Sequence, residues 1–198
     1  MSSFGRGSGG TSRSGGSRAE RSGPPAQARD PREAAREICL QQLAFSPRTR
    51  AELAAKLSNR GIPDDAAQEV LGRFTEVGII DDALFAQMWV TSRHRGRGLA
   101  GRALQQELRR KGVDEDLAKE ALASLEPDEE RATARALVDR RIASTRGLAA
   151  DARVRRLAGM LARKGYSAGV AFAVVREALA EDGAAVELEF DALAALED

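Results

Sequence analysis

The sequence has one cysteine, Cys39, and one histidine, His94, in 198 residues. A single cysteine excludes a disulfide within the chain, and the pair cannot supply the usual cluster of metal ligands. His94 stands among arginines with no carboxylate beside it, so we interpret it as a surface residue without a catalytic role. Cys39 lies within an amphipathic helical segment, and we expect a small residue of the core or its boundary there, not a nucleophile. We therefore predict no enzyme activity, no cofactor and no metal.

Long apolar runs are also missing. No stretch approaches the roughly 18 to 20 apolar residues of a membrane helix, and the N-terminus lacks the apolar segment of a secretory signal. We expect a cytoplasmic protein with no membrane partner. Aromatic residues make up 4% of the chain, and the basic segments carry only Trp89 and Tyr166. This scarcity disfavours a platform on which single-stranded bases stack.

The net charge is only +1, but the two signs are segregated along the chain. Residues 1–32 hold six arginines and two acids, whereas residues 181–198 hold seven acids and no base. Residues 1–29 are mostly Gly, Ser, Arg and Pro, which cannot bury enough apolar surface to form a core. We interpret 1–29 as a disordered arm and 182–198 as an acidic C-terminal tail.

Helix signals begin after the arm. Asp30-Pro31-Arg32-Glu33 and Thr49-Arg50-Ala51-Glu52 have the pattern of helix starts, and Gly61 is suited to end the second helix. A third helix is expected to begin near Pro63 and end at Gly78. Its apolar residues have the i, i+3, i+4, i+7 spacing of one buried face and are Ala67, Val70, Leu71 and Phe74.

The same pattern occurs three times, at Gly61, Gly112 and Gly165. Leucines stand eight and four residues before each glycine, and a basic residue immediately precedes it. A further helical segment precedes each copy, over 31–44, 82–95 and 128–143. The repeat predicts an all-α fold of three tandem three-helix units in an elongated stack that can curve. The expected units are 30–80, 81–127 and 128–181.

Basic residues gather on the middle helix of each unit and on the approach to it. The helix pair from Thr49 to Val77 resembles a helix-turn-helix, but the polar positions of its second helix are mainly acidic, which disfavours entry into a DNA groove. The candidate binding residues are therefore the basic ones: Arg93, Arg95, Arg97, Arg102, Arg109, Arg110, Lys111, Arg153, Arg155, Arg156, Arg163 and Lys164.

Three motifs together resemble the bacterial RecX regulatory proteins. The first motif consists of G-I-I-D-D-x-x-F-A from Gly78, the basic segment that follows it, and L-x-x-E-L-x-x-K-G-V from Leu104. The second is S-P-R-T-R-A-E-L from Ser46, and the third is L-A-R-K-G-Y-S from Leu161. The resemblance covers about residues 33–181. The sequence departs from the commonest family pattern at Leu99-Ala100 and in its two terminal extensions.

The resemblance implies a regulator of recombinational DNA repair and the SOS response. RecX-like proteins bind the RecA filament on DNA and lower its ATPase, strand-exchange and coprotease activities, and some members also bind single- or double-stranded DNA. We expect a monomer that acts in this way. The main alternative is a nonspecific DNA-binding protein that needs no recombinase, and a third is a helical scaffold for another protein.

Overall fold

The computed structural model describes residues 30–183, and these form nine α-helices and one 3-10 turn. No β-strand occurs among the described residues, and the helices group into three three-helix units, which confirms the predicted all-α fold. The helices are α1 (Pro31–Phe45), α2 (Arg50–Ser58), α3 (Asp64–Glu76), α4 (Asp82–Arg97), α5 (Gly101–Arg110), α6 (Glu115–Ala123), α7 (Pro127–Ile142), α8 (Ala150–Arg163) and α9 (Ala168–Glu181). The 3-10 turn, Ala143–Thr145, follows α7.

Local sequence signals explain where the helices begin. Thr49 and Glu52 form the predicted capping box of α2, in which each side chain binds the backbone N–H of the other residue. Side-chain oxygens of Asp81 and Ser167 accept hydrogen bonds at the starts of α4 and α9. Pro127 occupies the first turn of α7, where its missing N–H leaves no helical bond unmade.

Each unit has its own hydrophobic core. The four apolar residues predicted to form one face of α3 are all buried, and Cys39 is buried with them, as expected. The second core is built around Leu104 and Leu108 and the third around Leu157 and Leu161. The leucine pairs of the repeated phrase are thus core residues, which explains why their spacing is kept.

The glycine of the phrase closes the middle helix in all three units. Gly61, Gly112 and Gly165 have φ values of 73°, 72° and 92°, in the left-handed region. The residue after each glycine donates its N–H to the carbonyl of the second leucine, at 3.1 Å in the first unit and 3.2 Å in the other two. This hydrogen bond satisfies a carbonyl that the helix end would otherwise leave unpaired.

In the second and third units, the same turn also joins the unit to the one before it. In the first joint, between the first and second units, the Thr49 hydroxyl donates to the Lys111 carbonyl oxygen at 2.7 Å. The backbone N–H of Arg50, the first residue of α2, donates to Oδ1 of Asp82 on α4 at 2.9 Å. Gly112 packs so closely on Ala51 that an added Cβ would lie 2.4 Å from the Ala51 Cβ.

The second joint, between the second and third units, repeats this arrangement. The N–H of Ala100 donates to the Lys164 carbonyl oxygen at 2.8 Å. The N–H of Gly101, the first residue of α5, donates to Oε1 of Glu130 on α7 at 3.1 Å. A Cβ at Gly165 would lie 2.3 Å from the backbone nitrogen of Ala103. The basic residue and glycine of the phrase are therefore joint residues in the second and third copies.

The predicted arm, 1–29, and all but the first two residues of the predicted tail lie outside the described residues. Asp182, the first residue of the predicted tail, caps the end of α9 and contacts the third unit. Its carboxylate accepts hydrogen bonds from Arg146 and Arg153, and these lower its pKa to about 2.

Candidate functional site

The twelve candidate cations differ in whether they have partners within the protein. Six of them form ion pairs or hydrogen bonds with other groups of the protein, and in two, Lys111 and Lys164, the contact joins one unit to another. The exposed ones for which no hydrogen bond or ion pair is found within residues 30–183 are Arg95, Arg102, Arg109, Arg155, Arg156 and Arg163. Neither the charge nor the hydrogen-bond donors of these six arginines are engaged by another group of the described residues.

Lys111 belongs to the structural group. Its ammonium is 2.7 Å from Oε1 of Glu52 in the preceding unit and 4.3 Å from the Trp89 ring centroid. The Arg93 guanidinium lies 4.0 Å from the same ring, and Trp89 Nε1 donates to Glu107 at 2.9 Å. These cation–π and charged contacts fix the side chains beside the first joint. Both cations are therefore held by intramolecular partners.

Arg153 is buried, although we expected it on the binding surface. Only 6% of this residue is exposed, and its guanidinium donates to Asp182 and to the hydroxyl of Thr145. A buried cation needs such partners because desolvation is costly. Arg153 joins α8 to the end of α9 and does not belong to the surface that we inferred from the sequence.

His94 is also placed differently from our expectation. It is 2% exposed, with Nδ1 2.9 Å from the Leu99 carbonyl oxygen and Nε2 3.0 Å from the hydroxyl of Thr133 on α7. The interpretation as a surface residue was wrong because α7 of the next unit covers this face of α4. The histidine is a component of the second joint.

Beside the second joint lies a cleft lined by cations from three helices. We call it the joint cleft, and its basic residues are Arg95 and Arg97 at the end of α4, Arg140 on α7 and Lys164 after α8. No acidic residue lines it. Lys164 is held in place because its ammonium donates to the Arg97 carbonyl oxygen at 2.6 Å. Arg97 also pairs with Glu107, whereas Arg95 and Arg140 are exposed without such partners among residues 30–183.

Two further acid-free clefts lie near the end of α8. One, between the second and third units, carries Arg102 and Arg163. The other, which we call the α8 cleft, is lined by Arg141, Arg156 and Arg163. Arg140 and Arg141 were absent from our candidates because they lie in the last turn of α7, outside the repeated phrase. The sequence signal that could have indicated them is that these two basic residues are adjacent.

The described residues contain no group of three or more His, Cys, Asp or Glu side chains that could hold a metal ion. Burial raises the pKa of the Cys39 thiol to about 11, so this cysteine is a poor nucleophile near neutral pH. Among the same residues, none of the helices has the length and apolar character required to cross a bilayer.

Comparison with protein families matches all three units in order. The first three-helix domain of RecX matches residues 35–74, the second matches 81–122 and the third matches 128–175. The chain belongs to the RecX family. These RecX domains include the second joint and the basic residues of the joint cleft, from Arg95 to Lys164.

Curated relatives are similar over most of the chain. The regulatory protein RecX of Streptomyces coelicolor is 59% identical over 167 residues, which cover 84% of this chain and 87% of the relative. The regulatory protein RecX of Thermobifida fusca is 56% identical over 173 residues, covering 86% and 92%. These relatives are named as regulatory proteins.

Solved structures show the same fold at low sequence identity. The crystal structure of RecX from Lactobacillus salivarius has a TM-score of 0.71 at 20% identity, and the match covers 75% of this chain and 96% of that one. A second RecX crystal structure has a TM-score of 0.68 at 22% identity, covering 75% and 72%. Leu99 and Ala100 are both buried at the second joint.

Proposed function

We propose that this protein binds the RecA–DNA filament and inhibits its ATPase, strand-exchange and coprotease activities. It would thereby modulate recombinational DNA repair and the SOS response. Family membership supports a regulatory role, and the observation that carries the binding proposal is the joint cleft. Four cations and no acid line this cleft where two units meet, and two of the cations, Arg95 and Arg140, are exposed without a partner among residues 30–183, so the cleft can attract an anionic partner. We place this activity in the cytoplasm and assign it to a monomer.

The joints supply a physical reason for inhibition. Each is held by two hydrogen bonds to the start of a middle helix and by a glycine packed on an alanine. This construction favours units that move together. A coupled body that contacts more than one recombinase subunit would oppose the rearrangements that accompany ATP hydrolysis, because those rearrangements would break its contacts.

The middle helix of the second unit extends the proposed surface. Arg109 and Arg110 are exposed in its last turn, where cations also interact favourably with the helix dipole. Together with Arg102 they give this helix three exposed arginines. Reversing these three charges should weaken inhibition of the recombinase while leaving helix content unchanged.

The direct test is ATP hydrolysis by RecA on single-stranded DNA with substoichiometric amounts of this protein. We expect inhibition well below the amount that would coat the DNA. The variant Arg95→Gln/Arg140→Gln should require several-fold more protein for the same inhibition. The matched control Arg36→Gln/Arg176→Gln removes the same charge from exposed positions outside the joint cleft and should inhibit normally.

The acid-free clefts also favour the second candidate function, nonspecific DNA binding without a recombinase. That function predicts inhibition only at coating amounts and an affinity for DNA alone that falls steeply with salt. Inhibition that is equally strong for the joint-cleft variant and its control would remove the joint cleft from the proposed interface.

A further inference from the structure

We propose that the acidic segment 184–198 docks in the α8 cleft of the same chain and screens the cleft arginines from other anions. The cleft lies in the third unit, between the end of α7, the 3-10 turn and α8. Its charged residues are Arg141, Arg156 and Arg163, and no acid lines it. The contact is internal to the protein and needs no recombinase, so it goes beyond the function proposed above.

The charge of the α8 cleft is not neutralised by the described residues. Its three arginines are exposed, and none makes a side-chain hydrogen bond or ion pair within residues 30–183. Arg146 and Arg153, by contrast, are both paired with Asp182. Three like charges around a cleft of about 200 Å³ repel each other, and an acidic occupant would offset that repulsion.

The sequence of the segment 184–198 complements the cleft. It has no basic residue and contains five acids: Glu187, Glu189, Asp191, Glu197 and Asp198. Leu188 and Phe190 stand between the first three of these acids. The cleft includes the half-buried Met160, and Leu148, whose N–H donates to the Thr145 carbonyl oxygen beside the cleft, is 39% exposed. The segment therefore offers carboxylates to the guanidinium groups and apolar side chains to these two residues.

The N-terminal arm is not a suitable occupant of the same cleft. Residues 1–29 contain five arginines and one glutamate, so their net charge has the same sign as the cleft. Of the two stretches outside the described residues, only the segment 184–198 has the complementary charge.

The described chain leads the segment to the cleft. Asp182, two residues before the segment, accepts a hydrogen bond from Arg153. Arg153 also donates from Nε to the hydroxyl of Thr145 at 3.1 Å, and Thr145 lines the cleft. Asp182 is thus a carboxylate already bound at one end of the cleft.

The cleft continues from this point along α8. Arg153, Arg156 and Met160 follow one another at spacings of three and four residues, which keep them on one face of the helix. From Arg153 to Arg163 the helix rises by about 15 Å. A chain of 15 residues can extend up to about 50 Å, so the segment can reach every arginine of the cleft.

The covalent connection favours this occupant over the same segment of another copy. Each exposed ion pair contributes little by itself, because water and salt screen it. A short linker raises the effective concentration of the segment at the cleft to about the millimolar range. An anion from another molecule must then displace the segment before it can contact the cleft arginines.

The test is a double-mutant cycle on the full-length protein, measured by urea unfolding and circular dichroism. The tail variant is Glu187→Gln/Glu189→Gln/Asp191→Asn, and the cleft variant is Arg141→Gln/Arg156→Gln/Arg163→Gln. Each should lower the equilibrium constant for folding, because each removes the same contact. The product of the two losses should therefore exceed the loss in the combined variant by at least about fivefold at low salt. This coupling should shrink at high salt.

The matched control removes three exposed acids that have no partner within residues 30–183, in the variant Glu33→Gln/Glu120→Gln/Glu129→Gln. Combined with the cleft variant, its effect should be multiplicative within about twofold. Equal coupling for both acid triples would overturn the proposal, since net charge would then explain it. Absence of coupling for the tail variant would also overturn it. If the cleft variant loses its helices, Arg156→Gln replaces it under the same criteria.

The dependence on protein concentration identifies which copy supplies the segment. Docking within one chain predicts the same coupling at every protein concentration. Coupling that grows with concentration would place the segment of a second copy in the cleft and overturn the assignment to the same chain.

Screening of the cleft is measured with immobilised heparin as a general polyanion. The tail variant and the acid control raise the net charge equally, but only the tail variant uncovers the cleft. We expect the tail variant to elute from heparin at clearly higher salt than the control. Elution of both at the same salt would overturn the screening. Neither measurement includes the recombinase, so their outcomes are independent of the ATPase test above.

Discussion

The two joints of the molecule share a backbone plan but differ in the side chains that complete it. In both, an N–H at the start of a middle helix binds a carboxylate of the next unit, and a left-handed glycine packs against an alanine. The first joint adds the pair of Lys111 with Glu52 beside the Trp89 ring. The second adds Tyr166, whose hydroxyl donates to the Gly98 carbonyl oxygen at 3.2 Å.

The contrast indicates that the repeated phrase specifies the backbone contact and leaves the side chains free to vary. The residue after the glycine is Val113 at the first joint and Tyr166 at the second. The first joint is thus completed by charged groups that keep some exposure to water, and the second by a buried ring together with His94. The stability of the first joint should therefore depend more on salt, and the stability of the second joint should depend more on packing.

The joint glycines should show the greatest sensitivity to substitution. Gly165→Ala should destabilise the protein by about 3 kcal/mol or more, because its Cβ would meet backbone atoms of Ala103 and the left-handed conformation adds strain. Gly61→Ala is the matched control, with a left-handed φ and no atom within 4 Å, and should lose only about 1 to 2 kcal/mol. Urea unfolding followed by circular dichroism measures both, and equal losses would show that the joint contact is unimportant.

A smaller effect is expected from the charged side chain of the first joint. Lys111→Met should lower the free energy of unfolding by about 1.5 kcal/mol, because the partly buried Glu52 loses its nearer cation and keeps only Arg48 at 4.0 Å, and because the contact with Trp89 is lost. Arg60→Met, at the equivalent exposed position of the first unit, should be nearly neutral. The difference between the two should shrink in high salt. If the difference between the two stability losses does not change with salt, Lys111 stabilises the joint by packing and not by its charge.

At the second joint, Tyr166→Phe should cost about 1 kcal/mol, because the Gly98 carbonyl oxygen loses a buried hydrogen bond while the ring still packs. The loss should be insensitive to salt, in contrast to that of Lys111→Met. Thermal unfolding at low and high salt provides the measurement. A strong salt dependence at this joint would contradict the proposed division between the two.

A still weaker effect is expected at alkaline pH. Burial and the neighbouring charge of Glu130 raise the pKa of Tyr166 above its ordinary value. In the unfolded chain this tyrosine ionises near pH 10, so the native state loses stability as the pH rises above about 10. Tyr166→Phe lacks that group and should lose less stability over the same range. The test measures the melting temperature of both proteins across this pH range. The same dependence on pH in the two proteins would argue against ionisation of Tyr166.

Local signals predicted much of the fold. The capping box at Thr49, the glycine stops and the spacing of Val70, Leu71 and Phe74 act over a few residues, and the structure confirms each one. The predicted limits of the three units remain a prediction, as does the elongated form of the stack. The helix starts and stops could be predicted because capping and left-handed turns depend on neighbouring residues.

The candidate site was less accessible to the same reasoning. The basic segments were recognised, but Arg153 and His94 were taken as surface residues and Arg140 and Arg141 were overlooked. His94 is buried against α7, and Arg153 is buried where it pairs with Asp182. Both partners lie far from these residues in the sequence. The spacing of charges along one helix contains no information about an acid or a helix contributed from another part of the chain.

The three helical units, their leucine cores and the turn that closes each middle helix follow from the sequence alone, because they depend on local periodicity and backbone preference. The role of the basic residue and glycine in that turn depends instead on tertiary contacts. In the second and third copies they meet the preceding unit, whereas Gly61 faces open space. Tertiary contacts also determine which arginines are neutralised by acids and which line a cleft, since folding brings those groups together from distant parts of the chain.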